Sequence, residues 1–132
     1  MKLLINAVLA TTLAMTAFWA HALEKEPFTE ERYNELRDSG EVFLVDVYAT
    51  WCSTCATQQE ILKAYKTANP DIPLTILEVD FDDDKEWVRH FRAPRQSTLV
   101  LYRGGEQMWF SVGETRSEVI VDQLDKVLKS GV

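Results

Sequence analysis

A buried strand that leads directly into a cysteine-bearing helix is the feature that most restricts the fold of this chain. Residues 42–48 form a nearly continuous apolar, β-branched run, which predicts a strand covered on both faces. After a short connection, residues 52–68 predict a helix with Cys52 at its start and Cys55 one turn further on. Strands of this kind belong to sheets with helices on both sides, so we expect an α/β fold.

The rest of the chain continues this alternation of helices and strands. Strands joined through helices lie parallel, whereas a hairpin adds an antiparallel strand at the edge. We therefore expect a three-layer α/β/α arrangement around a mixed four-stranded sheet. The other predicted elements are a helix capped by Thr29 and ended at Gly40, strands over 74–80, 98–102 and 107–112, a short helix over 82–91, and a last helix capped by Ser117.

The first 22 residues differ sharply in composition from the remainder. Lys2 is followed by an apolar run that closes on the small-x-small pattern Ala20-His21-Ala22. This pattern predicts a secretory signal peptide over 1–22, cleaved after Ala22 to leave one domain over 23–132. An uncleaved membrane anchor is the alternative, because the stretch is almost long enough to span a bilayer, but Asn6 and several threonines dilute it. We expect a soluble periplasmic protein.

Charge and ligand counts restrict the partners. The chain carries 14 basic and 21 acidic side chains, a net charge of −7, and such a surface repels nucleic acid. A zinc site needs about four ligands. After the leader, His90 is the only histidine and the two cysteines have no further Cys beside them, so we expect no metal and no other cofactor. A monomer is expected.

The cysteine spacing indicates reversible chemistry rather than a structural crosslink. A Cys52–Cys55 disulfide closes a very small loop, so it removes little entropy from the unfolded chain. The positive end of the helix favours a thiolate at Cys52, which we expect to be exposed and to act as the nucleophile on a substrate disulfide. Cys55, one turn deeper, would then resolve the mixed disulfide.

Residues 43–55, Phe-Leu-Val-Asp-Val-Tyr-Ala-Thr-Trp-Cys-Ser-Thr-Cys, resemble the thioredoxin family, and the likeness extends over 28–130. An aspartate six residues before the first cysteine, with Trp51 immediately before it, is more specific than the cysteine pair. The resemblance implies a thioredoxin-like fold and Asp46 as a buried proton acceptor and donor for Cys55. Burial in an apolar strand should raise the pKa of Asp46, which suits that task, although a purely structural Asp46 remains an alternative. Trp51 is expected to shape the substrate surface.

Two departures from the family lie next to the cysteines. Ser53 and Thr54 replace the usual Gly-Pro, and this dipeptide tunes the redox potential. Ser97 stands where the family has its cis-proline, so the peptide bond there is either cis and strained or trans. The family pairs this loop with substrate backbone, which makes Gln96, Ser97 and Thr98 candidate substrate contacts, with the Ser97 hydroxyl as a new donor.

A third departure concerns the buried acid. Glu78 occupies the position where thioredoxins usually hold a lysine facing the aspartate. If Glu78 faces Asp46, the two carboxyl groups share one pocket and one should stay protonated near neutrality. If it points outward, it is an ordinary solvated side chain.

These features favour an extracytoplasmic thiol–disulfide oxidoreductase. The first hypothesis is a reductase of exported proteins, which would need electrons from a membrane conduit because soluble reductants are scarce outside the cytoplasm. The second is an oxidase or isomerase of the same fold. The third is a thioredoxin-like binding module whose cysteines only switch a partner surface.

Overall fold

Helices and strands alternate along residues 24–130, the part of the chain that the computed structural model describes. In chain order the elements are β1 (Glu24–Pro27), α1 (Glu30–Ser39), β2 (Val42–Tyr48), α2 (Ser53–Ala68), β3 (Thr75–Asp80), α3 (Lys85–His90), β4 (Thr98–Arg103), β5 (Glu106–Val112) and α4 (Ser117–Leu128). The α/β prediction is confirmed, and β2 has the predicted bounds.

The strands form one mixed sheet in the order β1-β3-β2-β4-β5. β1, β3 and β2 are parallel, while β4 runs antiparallel to β2 and β5 antiparallel to β4. The predicted sheet had four strands, so β1 is an addition. Its sequence, Glu-Lys-Glu-Pro, has no apolar run, and charges with a proline are typical of an edge strand.

Two apolar layers hold the helices against the sheet. On one face, Phe43, Val45 and Val47 of β2 pack with residues of α1 and α3. On the other face, Leu44 of β2 packs with residues of α2 and α4. Successive residues of a strand point to opposite faces. Asp46 therefore lies on the α2 side.

The ends of α1 agree with the prediction, whereas the start of α4 does not. The Thr29 hydroxyl accepts from the Arg32 amide at 3.2 Å, and Gly40 ends α1 with a left-handed φ of 75°, as predicted. The last helix differs from its prediction, because Arg116 occupies the cap position and Ser117 is the first helical residue.

The third helix is shorter than predicted. Residues 81–83 form a turn, in which the Asp80 carboxylate accepts from the amides of Asp82 and Asp83 at 2.8 and 3.1 Å. The helix begins at Lys85, after this turn, and ends at His90.

The predicted signal peptide lies outside the described residues. Within residues 24–130, no helix is long and apolar enough to cross a membrane.

Candidate functional site

The cysteine pair lies at the start of α2, just after the carboxyl end of β2. Cys52 is the N-cap of α2, and its sulfur accepts from the Cys55 amide at 3.1 Å. The two Cα atoms are 5.3 Å apart, and the sulfurs form a disulfide. A helix N-terminus directs free amides and partial positive charge at Cys52, which favours the thiolate once the disulfide is reduced.

Both cysteines are more buried than their position suggested. Cys52 is 7% exposed and Cys55 1%, so Cys52 is the more accessible of the two but is not the open thiol that we expected. The reason is the loop before β4, since Ser97 lies against both sulfurs. The nucleophilic and resolving roles of the two cysteines stay predictions.

Ser97 contacts the whole redox centre. Its Oγ lies 3.2 Å from Cys52 Sγ and 3.3 Å from Cys55 Sγ. No peptide bond within residues 24–130 is cis, and Ser97 instead has a positive φ of 64°. Such a φ is uncommon for a residue with a side chain and occurs often at functional sites.

Backbone and side-chain bonds from three directions fix the Ser97 loop. The Ser97 amide donates to Val47 O at 2.8 Å, and its carbonyl accepts from the Gly113 amide at 2.8 Å. The buried Gln58 amide, on α2, donates to the Ser97 carbonyl at 3.1 Å and to Glu114 O at 3.0 Å. These bonds tie β2, α2 and the end of β5 to one residue.

The other two candidate substrate contacts surround Ser97. Gln96 is half-buried beside it. Thr98 is fully buried, and its hydroxyl donates to the Arg95 carbonyl at 2.7 Å. The Thr98 side chain therefore braces the loop, and a contact with substrate there would involve the backbone.

Trp51 is the large exposed side chain beside the disulfide. It is 62% exposed, and its Nε1 donates to Asp82 Oδ2 at 2.7 Å. This bond fixes an exposed apolar ring at the residue immediately before Cys52. Of the predicted tuning residues, Ser53 is exposed and Thr54 half-buried in the first turn of α2.

Asp46 is buried below the disulfide on the α2 side of the sheet. It is 0% exposed, and its two oxygens have no hydrogen-bond partner among the described residues. Burial, reinforced by the charge of Glu78, raises the pKa of Asp46 from 3.8 to about 7, while Lys25 and the nearby Gln59 amide oppose the rise. A carboxyl that titrates near neutrality can take up and return a proton at physiological pH.

Glu78 lies beside Asp46, and its side chain is half-buried. The two residues are register partners on adjacent parallel strands, so their side chains point to the same face of the sheet. Glu78 lines a cleft of about 270 Å³ together with Cys52, Cys55 and Gln59. Its Oε2 lies 4.0 Å from Lys25 Nζ. The cleft thus joins the disulfide to Glu78, and Asp46 lies buried next to Glu78.

Three contributors to the site were not predicted. Lys25 was missed because it lies on the unpredicted β1. Gln58 and Gln59 are polar residues of α2, and polar residues of a helix usually lie on its solvent face. One signal was available for Gln58: it lies three residues after Cys55 and four before Leu62, so all three share the inward face of the helix. Within residues 24–130, no three His, Cys, Asp or Glu side chains are grouped to hold a metal.

Comparison with known proteins gives a consistent result. A family model described as Thioredoxin matches residues 23–126. A thioredoxin of Staphylococcus haemolyticus is 31% identical over 100 residues, which are 76% of this chain and 94% of that protein. A thioredoxin of Alicyclobacillus acidocaldarius is 26% identical over 101 residues, 76% of this chain and 95% of that protein. The crystal structure of Trxlp from Edwardsiella tarda superposes with a TM-score of 0.70 at 35% identity, covering 75% of this chain and 96% of that one.

Proposed function

This chain belongs to the thioredoxin family, and we propose that it reduces the disulfide bonds of exported proteins outside the cytoplasm. It is a protein thiol–disulfide oxidoreductase with Cys52 and Cys55 as its redox pair. The proposal adds the direction of the reaction, the compartment and the roles of the residues.

One observation supports the proposed exchange: Cys55 and Asp46 are both buried, and the cleft that Cys55 lines extends to Glu78, the register partner of Asp46. Reduction of a client ends when the resolving thiol loses its proton and attacks the mixed disulfide. A carboxyl whose pKa lies near 7 is suited to accept that proton. The Asp46 oxygens make no hydrogen bond within the described part of the chain, so this proton transfer would need a bridging water.

In the proposed reaction, the Cys52 thiolate attacks one sulfur of a client disulfide. A Cys52–client disulfide forms, and the other client sulfur leaves as a thiolate that takes a proton from water. Cys55 then gives its proton to Asp46 and attacks Cys52 Sγ, which leaves the Cys52–Cys55 disulfide. The second client sulfur departs as a thiolate that also takes a proton from water. Two electrons pass to the client, and a membrane conduit would return them to the pair.

The extracytoplasmic location is supported by the leader pattern. Lys2, the apolar run and Ala20-His21-Ala22 together form a secretory signal, and the family match begins at residue 23, directly after the proposed cleavage position. Peptide mass mapping of the exported protein should find Leu23 at its N-terminus. A variant chain that starts at a methionine placed before Leu23 should stay in the cytoplasm.

A second direction, net oxidation of client thiols, is favoured by Ser97. A hydroxyl 3.2 Å from Cys52 Sγ is a better partner for a thiolate than for a disulfide, and this stabilises the reduced pair. A pair whose reduced form is stabilised is a stronger oxidant.

The redox state of the pair in living cells separates the two directions. Acid quenching followed by alkylation with a heavy maleimide reports how many cysteines are free. A reductase fed by a membrane donor should be recovered mostly as the dithiol, and the dithiol should disappear when electron delivery is blocked. Recovery of the disulfide in unperturbed cells would contradict the reductase proposal and support the oxidase.

A further inference from the structure

The Ser97 hydroxyl lies between the two reacting sulfurs, at 3.2 Å from Cys52 Sγ and 3.3 Å from Cys55 Sγ. The sulfurs of a disulfide carry no proton, so in this state the hydroxyl is the donor. Among the hydrogen bonds of residues 24–130, these two sulfurs are the only partners of Ser97 Oγ.

The backbone that carries this hydroxyl is held in place, and the residue is shielded from water. Ser97 is 2% exposed, and its backbone is held on both sides by the bonds to Val47, Gly113 and Gln58. A hydrogen bond is stronger away from water, and one to an ionised acceptor is about twice as strong as one between neutral groups. The donor is therefore fixed before any charge develops on sulfur.

We propose that the Ser97 hydroxyl is a catalytic hydrogen-bond donor that stabilises first the Cys52 thiolate and then the Cys55 thiolate. This inference rests on the exchange reaction described above. In the reduced protein the hydroxyl donates to Cys52 Sγ. Once Cys52 has formed a bond to the client sulfur and lost its charge, a small rotation about the Ser97 side chain turns the same hydroxyl toward Cys55 Sγ.

This role does not duplicate that of Asp46. Asp46 would accept the proton of Cys55, but its oxygens make no hydrogen bond to either sulfur within the described residues. Ser97 holds its own proton throughout and supplies only stabilisation of the anion. This stabilisation lets each cysteine ionise at a lower pH. It also shifts the equilibrium between the dithiol and the disulfide toward the dithiol.

The test is the pH dependence of Cys52 alkylation by iodoacetamide in the reduced protein. Ser97→Ala removes the hydroxyl and keeps the Cβ, while Ser97→Gly also removes any strain of a side chain at φ 64°. Ser111→Ala is the matched control, because the Ser111 hydroxyl is buried without a hydrogen-bond partner among the described residues. The titratable groups that line the cleft, Tyr48 and Glu78, are present in all of these proteins, as are Asp46 and Lys25 beside Glu78.

Loss of a hydrogen bond to an ionised sulfur should raise the midpoint of the alkylation pH profile by about one pH unit. At pH values below that midpoint, the fraction of Cys52 present as thiolate should fall about tenfold. The equilibrium with glutathione should shift about tenfold toward the disulfide, which is about 30 mV toward a more reducing pair. Both Ser97 variants should show these shifts while their circular dichroism stays native, and Ser111→Ala should show neither.

An unchanged midpoint in both Ser97 variants would overturn the proposal. A shift in only one of the two Ser97 variants would point to backbone strain at this position. An equal shift in Ser111→Ala would point to general destabilisation. Either result would also overturn the proposal. The midpoint is measured on the protein alone. It can therefore fail while export and client reduction stand, and it can succeed when they do not.

Discussion

Asp46→Asn should make the protein more stable at neutral pH but not in acid. Burial and the facing Glu78 raise the pKa of Asp46 from 3.8 to about 7 in the folded protein. An acid whose pKa is raised in the folded protein binds its proton more tightly there than in the unfolded chain. The free energy of unfolding is therefore greatest at pH values below the pKa of the unfolded chain, about 4. That stability is lost progressively as the pH rises from about 4 to about 7, and the loss then levels off.

The size of the loss follows from the shift. A difference of about three pKa units corresponds to about 4 kcal/mol of unfolding free energy. Solvent does not screen the electrostatic effect at Asp46, because this side chain is fully buried. Asparagine stays neutral at every pH and resembles the protonated acid in shape, so it should avoid this loss. The variant should therefore match the parent near pH 4 and exceed it by about 4 kcal/mol at pH 8.

Guanidinium unfolding of the oxidised proteins at pH 4, 5, 6, 7 and 8 measures this difference directly. Asp71→Asn is the control, since Asp71 is an exposed carboxyl between α2 and β3, and it should leave the pH profile unchanged. If the free energies of Asp46→Asn and the parent run parallel from pH 4 to pH 8, Asp46 does not titrate as the structure indicates.

Two further substitutions and one comparison of activity should give measurable results. Glu78→Lys should lower the pKa of Asp46 by replacing a like charge with an opposite one, and carboxyl NMR titration should detect it; an unmoved titration would mean that the two groups do not interact. With dithiothreitol as donor, the protein should reduce insulin more slowly than a typical thioredoxin because of residues 53–54 and Ser97, and equal turnover would show these departures to be neutral. Gln58→Ala should lower the unfolding free energy by about 1–3 kcal/mol, because the Ser97 carbonyl and the half-buried Glu114 carbonyl each lose a donor; an unchanged denaturant midpoint would contradict this.

The central strand and the cysteine helix could be predicted because strong local signals agree with their burial. Residues 42–48 are apolar on both faces, and the structure covers both. Asp46 was identified as a buried acid for the same reason, since a carboxyl within such a run has no route to water. The edge strand β1 could not be predicted, because its charged residues owe their conformation to pairing with β3 rather than to their own preference.

Some parts of the site depend on contacts between residues that are far apart in the sequence, and these parts could not be predicted from the sequence. The choice between a facing and an outward Glu78 depended on its register with Asp46, which is a property of the assembled sheet. The trans conformation and positive φ of Ser97 result from anchors on three other elements. The burial of Cys52 follows from that loop, so the cysteine was expected to be more open than it is.

Trapping of mixed disulfides tests the division of labour between the two cysteines most directly. Cys55→Ser leaves Cys52 able to attack but removes the thiol that resolves the product, so client proteins should accumulate as covalent adducts through Cys52. Cys52→Ser should trap none. Non-reducing electrophoresis with mass spectrometry of the adducts identifies the linked cysteine. Equal trapping by both variants, or by neither, would contradict Cys52 as the nucleophile and Cys55 as the resolving thiol.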